Sequence, residues 1–143
     1  MNQIILVSHG DLAKGMKDTL NMIVGDMDSV QAFSSYREEK ENIKTIVERE
    51  VKKHYEINEI YILTDIFGGS VNNEMISLLK DYPKVNIISG MNLPLVISIA
   101  TGSEISYELL EVYINESKQS IINCTELLKK EINRKDDNLW LSW

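Results

Sequence analysis

Four short apolar runs rich in β-branched residues, Ile4 to Val7, Val30 to Phe33, Ile60 to Thr64 and Val85 to Ser89, are separated by longer segments of helical period. Runs of this length read as buried strands, and their alternation with amphipathic segments predicts an α/β fold whose parallel sheet is covered on both faces. The intervening helices have recognisable stripes. Leu12, Met16, Leu20, Ile23 and Val24 share one face with Gly25 at the expected stop, and Ile43, Ile46, Val47, Val51 and Tyr55 form a second. Ser70 is placed to cap a third helix carrying Val71, Met75, Leu78 and Leu79. A short helix is expected after Pro94, then a longer one with Ile105, Leu109, Val112 and Tyr113 on a face. The order predicts a doubly wound, mainly parallel sheet of four strands flanked by helices.

Beyond about Glu116 the pattern weakens. Ile121 to Cys124 reads as a short fifth strand or as helix interior, and Glu126 to Ile132 is again helical in period. We read residues 1–143 as a single domain, with about 126–143 as a helical tail. Trp140 and Trp143 stand within four residues of the end and are expected to dock on the domain or on a second subunit.

Charge and cysteine content narrow the function. With 15 Lys and Arg against 22 Asp and Glu, the net charge is -7 and no basic cluster is present, which argues against nucleic acid as a partner. The lone Cys124 excludes an intramolecular disulfide and a Cys-based zinc site, and its Ile-rich surroundings suggest a small buried hydrophobe. No apolar run reaches the roughly 18 to 20 residues that span a bilayer, and Met1 leads straight into the first strand without a leader. A cytoplasmic protein is expected.

Ligands of open α/β sheets bind beyond the carboxyl ends of the strands. Ser8-His9-Gly10-Asp11 follows the first strand, Asp65-Ile66-Phe67-Gly68-Gly69-Ser70 the third, and Gly90-Met91-Asn92-Leu93-Pro94 the fourth. If strands one and three are neighbours, His9 and Asp65 meet across the crevice where the chain reverses direction. A carboxylate on one ring nitrogen fixes the tautomer and leaves the other as a nucleophile. Gly68, Gly69 and Ser70 at a helix start suit an anion, with backbone N–H groups and a hydroxyl as donors. Together they describe phosphoryl transfer through phosphohistidine, His9 and Asp65 being catalytic and Gly68, Gly69 and Ser70 phosphate-binding. Ser8, Gly10, Ile66, Phe67 and Asn92 would form the rim. Each piece also has a plainer use: His9 as a polar loop residue, Asp65 as a turn cap, Gly-Gly-Ser as an ordinary connection. His54, near the end of a charged helix, reads as structural. No P-loop, dinucleotide fingerprint, nucleophile elbow or metal pattern is present, so neither a cofactor nor a metal is called for.

Three stretches carry a likeness: Ile4-Ile5-Leu6-Val7-Ser8-His9-Gly10; Leu63-Thr64-Asp65-Ile66-Phe67-Gly68-Gly69-Ser70 with Asn72 following; and Ser89-Gly90-Met91-Asn92-Leu93-Pro94. In their order and spacing, over roughly residues 1 to 125, the chain resembles the enzyme IIA components of the mannose family of the bacterial phosphoenolpyruvate-dependent sugar phosphotransferase system. The resemblance implies that His9 accepts a phosphoryl group from the phosphocarrier HPr and passes it to a IIB component, which serves the membrane IIC and IID components. It implies Asp65 as the partner of His9, and Gly69 and Ser70 in the phosphate-binding turn. It also implies a homodimer in which a C-terminal strand, for which Ser120 to Cys124 is the candidate, is exchanged between subunits. Ile66 stands where some members carry Thr, and Val71 where some carry Pro. With 143 residues the chain leaves no room for a fused IIB domain, so the acceptor is expected on a separate chain. Two rivals are the IIA-like phosphotransfer subunit serving dihydroxyacetone kinase and a non-catalytic module binding an anion or a partner in the same crevice.

Overall fold

The computed structural model describes residues 1–36 and 41–134. Its elements follow the expected alternation: β1 (Asn2–His9), α1 (Leu12–Val24), β2 (Val30–Ser35), α2 (Ile43–His54), β3 (Glu59–Thr64), α3 (Ser70–Ile76) running into a 3₁₀ turn at Ser77–Lys80, β4 (Asn86–Ser89), α4 (Leu93–Thr101), α5 (Tyr107–Gln119) and α6 (Cys124–Arg134). The four strands are all parallel in the order β2-β1-β3-β4. β1 lies inside the sheet, and every residue of it from Asn2 to Ser8 is buried. A strand covered on both faces has no polar side to show, which is why its sequence reads as an unbroken apolar run.

Alternate side chains go to opposite faces. Ile4, Leu6, Tyr61 and Leu63 pack with Ala13 and Leu20 of α1 and with Leu95, Val96 and Ile99 of α4. Ile5, Val7 and Ile62 pack on the other side with Val47 and Val51 of α2 and with Val71 and Met75 of α3. The chain runs outward from β1 to β2, recrosses to β3 and continues to β4, so its direction reverses between β1 and β3. The loops leaving those two strands part there and open a crevice at the carboxyl edge.

Helix rotation departs from the hydropathy pattern in two places. On α1 the packed face is Ala13, Met16, Leu20 and Val24, while Leu12 and Ile23 are exposed. The Ser8 hydroxyl accepts the Ala13 N–H at 2.7 Å, drawing the helix start onto the end of β1 where a methyl group fits. On α5 the packed residues are Leu110, Tyr113 and Ile114, with Val112 exposed. Its rotation is tied by Asn92 Nδ2, which donates to the Ser117 carbonyl at 3.0 Å, a polar contact that an apolar stripe does not register.

The segment Ile121–Asn123 forms no strand in this chain, and the sheet has four strands. Ile121 and Ile122 are exposed. Cys124 is exposed as well, because it opens α6, a helix that buries none of its residues; the expectation of a buried thiol is corrected. The expected docking of Trp140 and Trp143 falls outside the described residues. Among those described, no helix is long and apolar enough to cross a membrane.

Candidate active site

β1 and β3 pair in register with Val7 opposite Thr64, so the residues at the carboxyl ends of the two strands emerge side by side. They are His9, the last residue of β1, and Asp65, the first after β3. Asp65 Oδ2 accepts two hydrogen bonds from the same residue, from the His9 backbone N–H at 2.8 Å and from its Nδ1 at 2.7 Å. Its Oδ1 accepts the Ile66 N–H at 2.9 Å. Burial pushes the Asp65 carboxyl upward, but the His9 N–H, the imidazole and the Ile66 N–H together outweigh it and hold the group below the usual aspartate value. An ionised carboxylate only accepts, so in the neutral imidazole the proton between the two side chains sits on Nδ1 and the lone pair on Nε2. The Asp65 side chain is 10% exposed and that of His9 43%, so the buried group orients and the accessible one presents.

Nε2 faces α3. Ser70 Oγ is 3.2 Å from it, and the Tyr36 hydroxyl is 3.0 Å from the same Oγ. The Tyr36 ring stacks on the imidazole with centroids 5.5 Å apart and planes at 22°. Ser70 is not the cap it was expected to be. Gly69 holds that position with extended backbone, and Ser70 is the first helical residue, which leaves its hydroxyl free for His9. Gly68 turns the chain at φ 81°, a conformation that costs an L side chain about 1 to 2 kcal/mol. A Cβ on Gly69 would lie 2.9 Å from Ile66 Cγ2, too close to accept without a shift, and 3.5 Å from His9 Cε1, so the turn is closed on Ile66 and stands at ordinary contact distance from the imidazole edge. The Thr64 hydroxyl, donating to Asn72 Oδ1 at 2.7 Å in the interior, ties the end of β3 to α3 and sets where the turn stands. The first N–H groups of a helix have no intrahelical acceptor, and with Ser70 they make this edge of the crevice favourable for negative charge.

The expected rim divides. Ile66 and Phe67, in the turn between Asp65 and Ser70, are 59% and 78% exposed, and Gly10 closes the turn after His9, donating its N–H to the Ser35 carbonyl at 3.1 Å. Ser8 and Asn92 do not belong to the rim. Ser8 is fully buried and supports α1. Asn92 caps α4, accepting the Leu95 N–H at 3.1 Å, and holds α5. Tyr36 was missed by sequence reasoning. Its signal was its place just after β2, whose Ser35 pairs with His9, the same edge that singles out residues 8–11 and 65–70. His54 stays within α2, its Nδ1 taking a 3.0 Å hydrogen bond from Asn58 Nδ2. Among the described residues no group of three or more His, Cys, Asp or Glu side chains could hold a metal ion.

A family model described as the fructose IIA component of the PTS, the phosphotransferase system, matches residues 3–113. The fructose-specific EIIA component of the PTS of Bacillus subtilis is 29% identical over 135 residues, covering 91% of each chain. The sorbose-specific EIIA component of Lacticaseibacillus casei is 25% identical, over 71% of this chain and 73% of that one. Among solved structures, the PTS IIA protein associated with the fucose utilization operon of Streptococcus pneumoniae superposes with a TM-score of 0.77 at 30% identity, covering 89% of this chain and 96% of its own.

Proposed function

We propose, on the premise that this chain belongs to the mannose and fructose family of IIA components of the phosphoenolpyruvate-dependent sugar phosphotransferase system, that His9 Nε2 is the atom that carries the phosphoryl group. The family makes the chain a phosphocarrier of that system. One observation carries the assignment of the atom: Asp65 Oδ2 takes both His9 donors, so in the neutral ring the remaining nitrogen carries the lone pair, facing Ser70.

The donor is phosphorylated HPr and the acceptor a IIB component. In the first half-reaction the Nε2 lone pair attacks phosphorus in line. The N–P bond of the donor imidazole breaks as the new one forms, and the donor ring keeps the electron pair. The Nδ1 proton stays against Asp65, whose charge opposes the positive charge developing on the ring. In a loose transition state most charge lies on the three peripheral oxygens, where the Ser70 hydroxyl and the start of α3 supply fixed donors. The second half-reaction is the same step with His9 as the leaving group. An imidazole exposed to this degree suits a nucleophile met by a protein-borne phosphohistidine. Incubation with phosphoenolpyruvate, enzyme I and HPr should add the mass of one phosphoryl group, and subsequent addition of a cognate IIB component should remove it. An unchanged mass sinks the proposal.

Ile66 and Phe67, exposed in the turn that joins Asp65 to Ser70, supply apolar contact area at the site edge of an acidic chain. We therefore assign them to docking. Phe67→Ser should raise KM for phosphorylated HPr about tenfold with kcat nearly unchanged. An unaltered KM removes Phe67 from the contact surface. The relatives named above carry three different sugars in their names at comparable identity, which supports a choice of sugar made by the membrane IIC and IID components.

The open edge of β4 and the exposed Ile121 and Ile122, which lie in no strand here, support a homodimer in which the segment Ser120 to Cys124 joins the partner's sheet. Sedimentation at the mass of two chains is expected, and a monomer at working concentrations excludes the exchange.

A further inference from the structure

We propose that Tyr36 is a positioning residue for phosphoryl transfer, acting through Ser70 to aim a proton at His9 Nε2 and at whatever that nitrogen carries. The inference rests on the reading of His9 given above and extends it to a side chain outside the motifs.

The direction of the hydrogen bonds follows from Asp65. Because Nε2 holds a lone pair, the Ser70 hydroxyl donates to it across 3.2 Å. Having given its proton, Ser70 Oγ receives the Tyr36 hydroxyl across 3.0 Å. Every donor in the chain Tyr36, Ser70, His9 therefore points toward the nucleophile. Once the lone pair is used in an N–P bond, Ser70 loses that acceptor and gains the phosphoryl oxygens at the same nitrogen. With its Oγ still receiving the Tyr36 proton, the Ser70 hydroxyl is held toward those oxygens and kept from turning away. The stacked Tyr36 ring, with Asp65 at Nδ1, restrains rotation of the imidazole.

The backbone supports a functional placement. Tyr36 has φ 63°, the sole non-glycine residue at positive φ among those described. That region is unfavourable for a bulky side chain, and such strain persists where surrounding contacts over-determine it. Among the described residues, the Tyr36 side chain hydrogen-bonds Ser70 and stacks on His9.

Tyr36→Phe keeps the stack and removes the hydroxyl. It should lower kcat for transfer from phosphorylated HPr about tenfold with KM held, since a hydrogen bond supporting a charged transition state is lost. Ser70→Ala should cost at least as much, and the double variant should be no slower than Ser70→Ala alone, because Tyr36 works through Ser70. In the unphosphorylated protein, the ¹⁵N resonance of His9 Nε2 should shift in Tyr36→Phe. Wild-type kcat in Tyr36→Phe, or single effects that multiply in the double variant, overturns the proposal. A wild-type chain that takes no phosphoryl group on His9 overturns the underlying reading instead. The ¹⁵N shift tells the two failures apart, because it needs no phosphate.

Discussion

His9→Ala takes up no label from phosphoenolpyruvate in the presence of enzyme I and HPr. The loss should be complete, because no neighbouring group can replace the nucleophile. Ser70 Oγ stands 3.2 Å from Nε2, but an un-ionised hydroxyl is a far weaker nucleophile than an imidazole lone pair. The chain has two histidines, and His54 sits in α2 with its Nδ1 occupied by Asn58. The variant should still fold. Asp65 keeps the backbone N–H of residue 9 at 2.8 Å and that of Ile66 at 2.9 Å, and both lie on main chain that the substitution leaves in place. A variant that remains folded, with a melting temperature lowered only by the loss of the imidazole's contacts to Asp65, Ser70 and Tyr36, and that incorporates no phosphate is therefore the expected result. Acid-labile, alkali-stable label persisting in His9→Ala would move the carrier to another residue and remove the mechanism argued here.

What the sequence disclosed and what it hid divide along a physical line. The strands and their order along the chain were legible because a strand buried on both faces is apolar through its middle, as Ile4 to Val7 of β1 are. The pairing of His9 with Asp65 was legible because topology alone brings the ends of β1 and β3 together. Helix rotation was not legible. It was decided on α1 by one bond from Ala13 to Ser8 and on α5 by one from Asn92 to Ser117, neither of which has an apolar period. The same bonds drew Ser8 and Asn92 out of the expected rim. Ser70 was misplaced by one helical position, and that shift is what frees its hydroxyl for His9. Tyr36 stayed hidden because its role depends on a positive φ that favours glycine, so its residue type gave no sign of it.

Asp65→Asn should lower kcat by about 10² to 10⁴ while leaving KM for phosphorylated HPr close to wild type, the pattern of a lost transition-state contact in which a histidine loses its orienting carboxylate. The amide cannot reproduce the carboxylate in either orientation. With its NH₂ in place of Oδ2, it meets the His9 N–H donor to donor and donates a hydrogen bond to Nδ1, which favours the tautomer with the ring proton on Nε2 and blocks the attacking lone pair. With its NH₂ in place of Oδ1, it meets the Ile66 N–H, and the negative charge that steadies the phosphorylated ring is still missing. The effect on folding carries a pH signature with a definite sign. The folded Asp65 carboxyl lies below its ordinary value, so its contribution to stability is whole above about pH 4 and is lost as pH falls through the folded value. Asp65→Asn should be less stable at neutral pH, and that deficit should shrink on acidification below about pH 4. A deficit that stays constant across that range, or a kcat equal to wild type, would show that the carboxylate neither holds the imidazole nor depends on it.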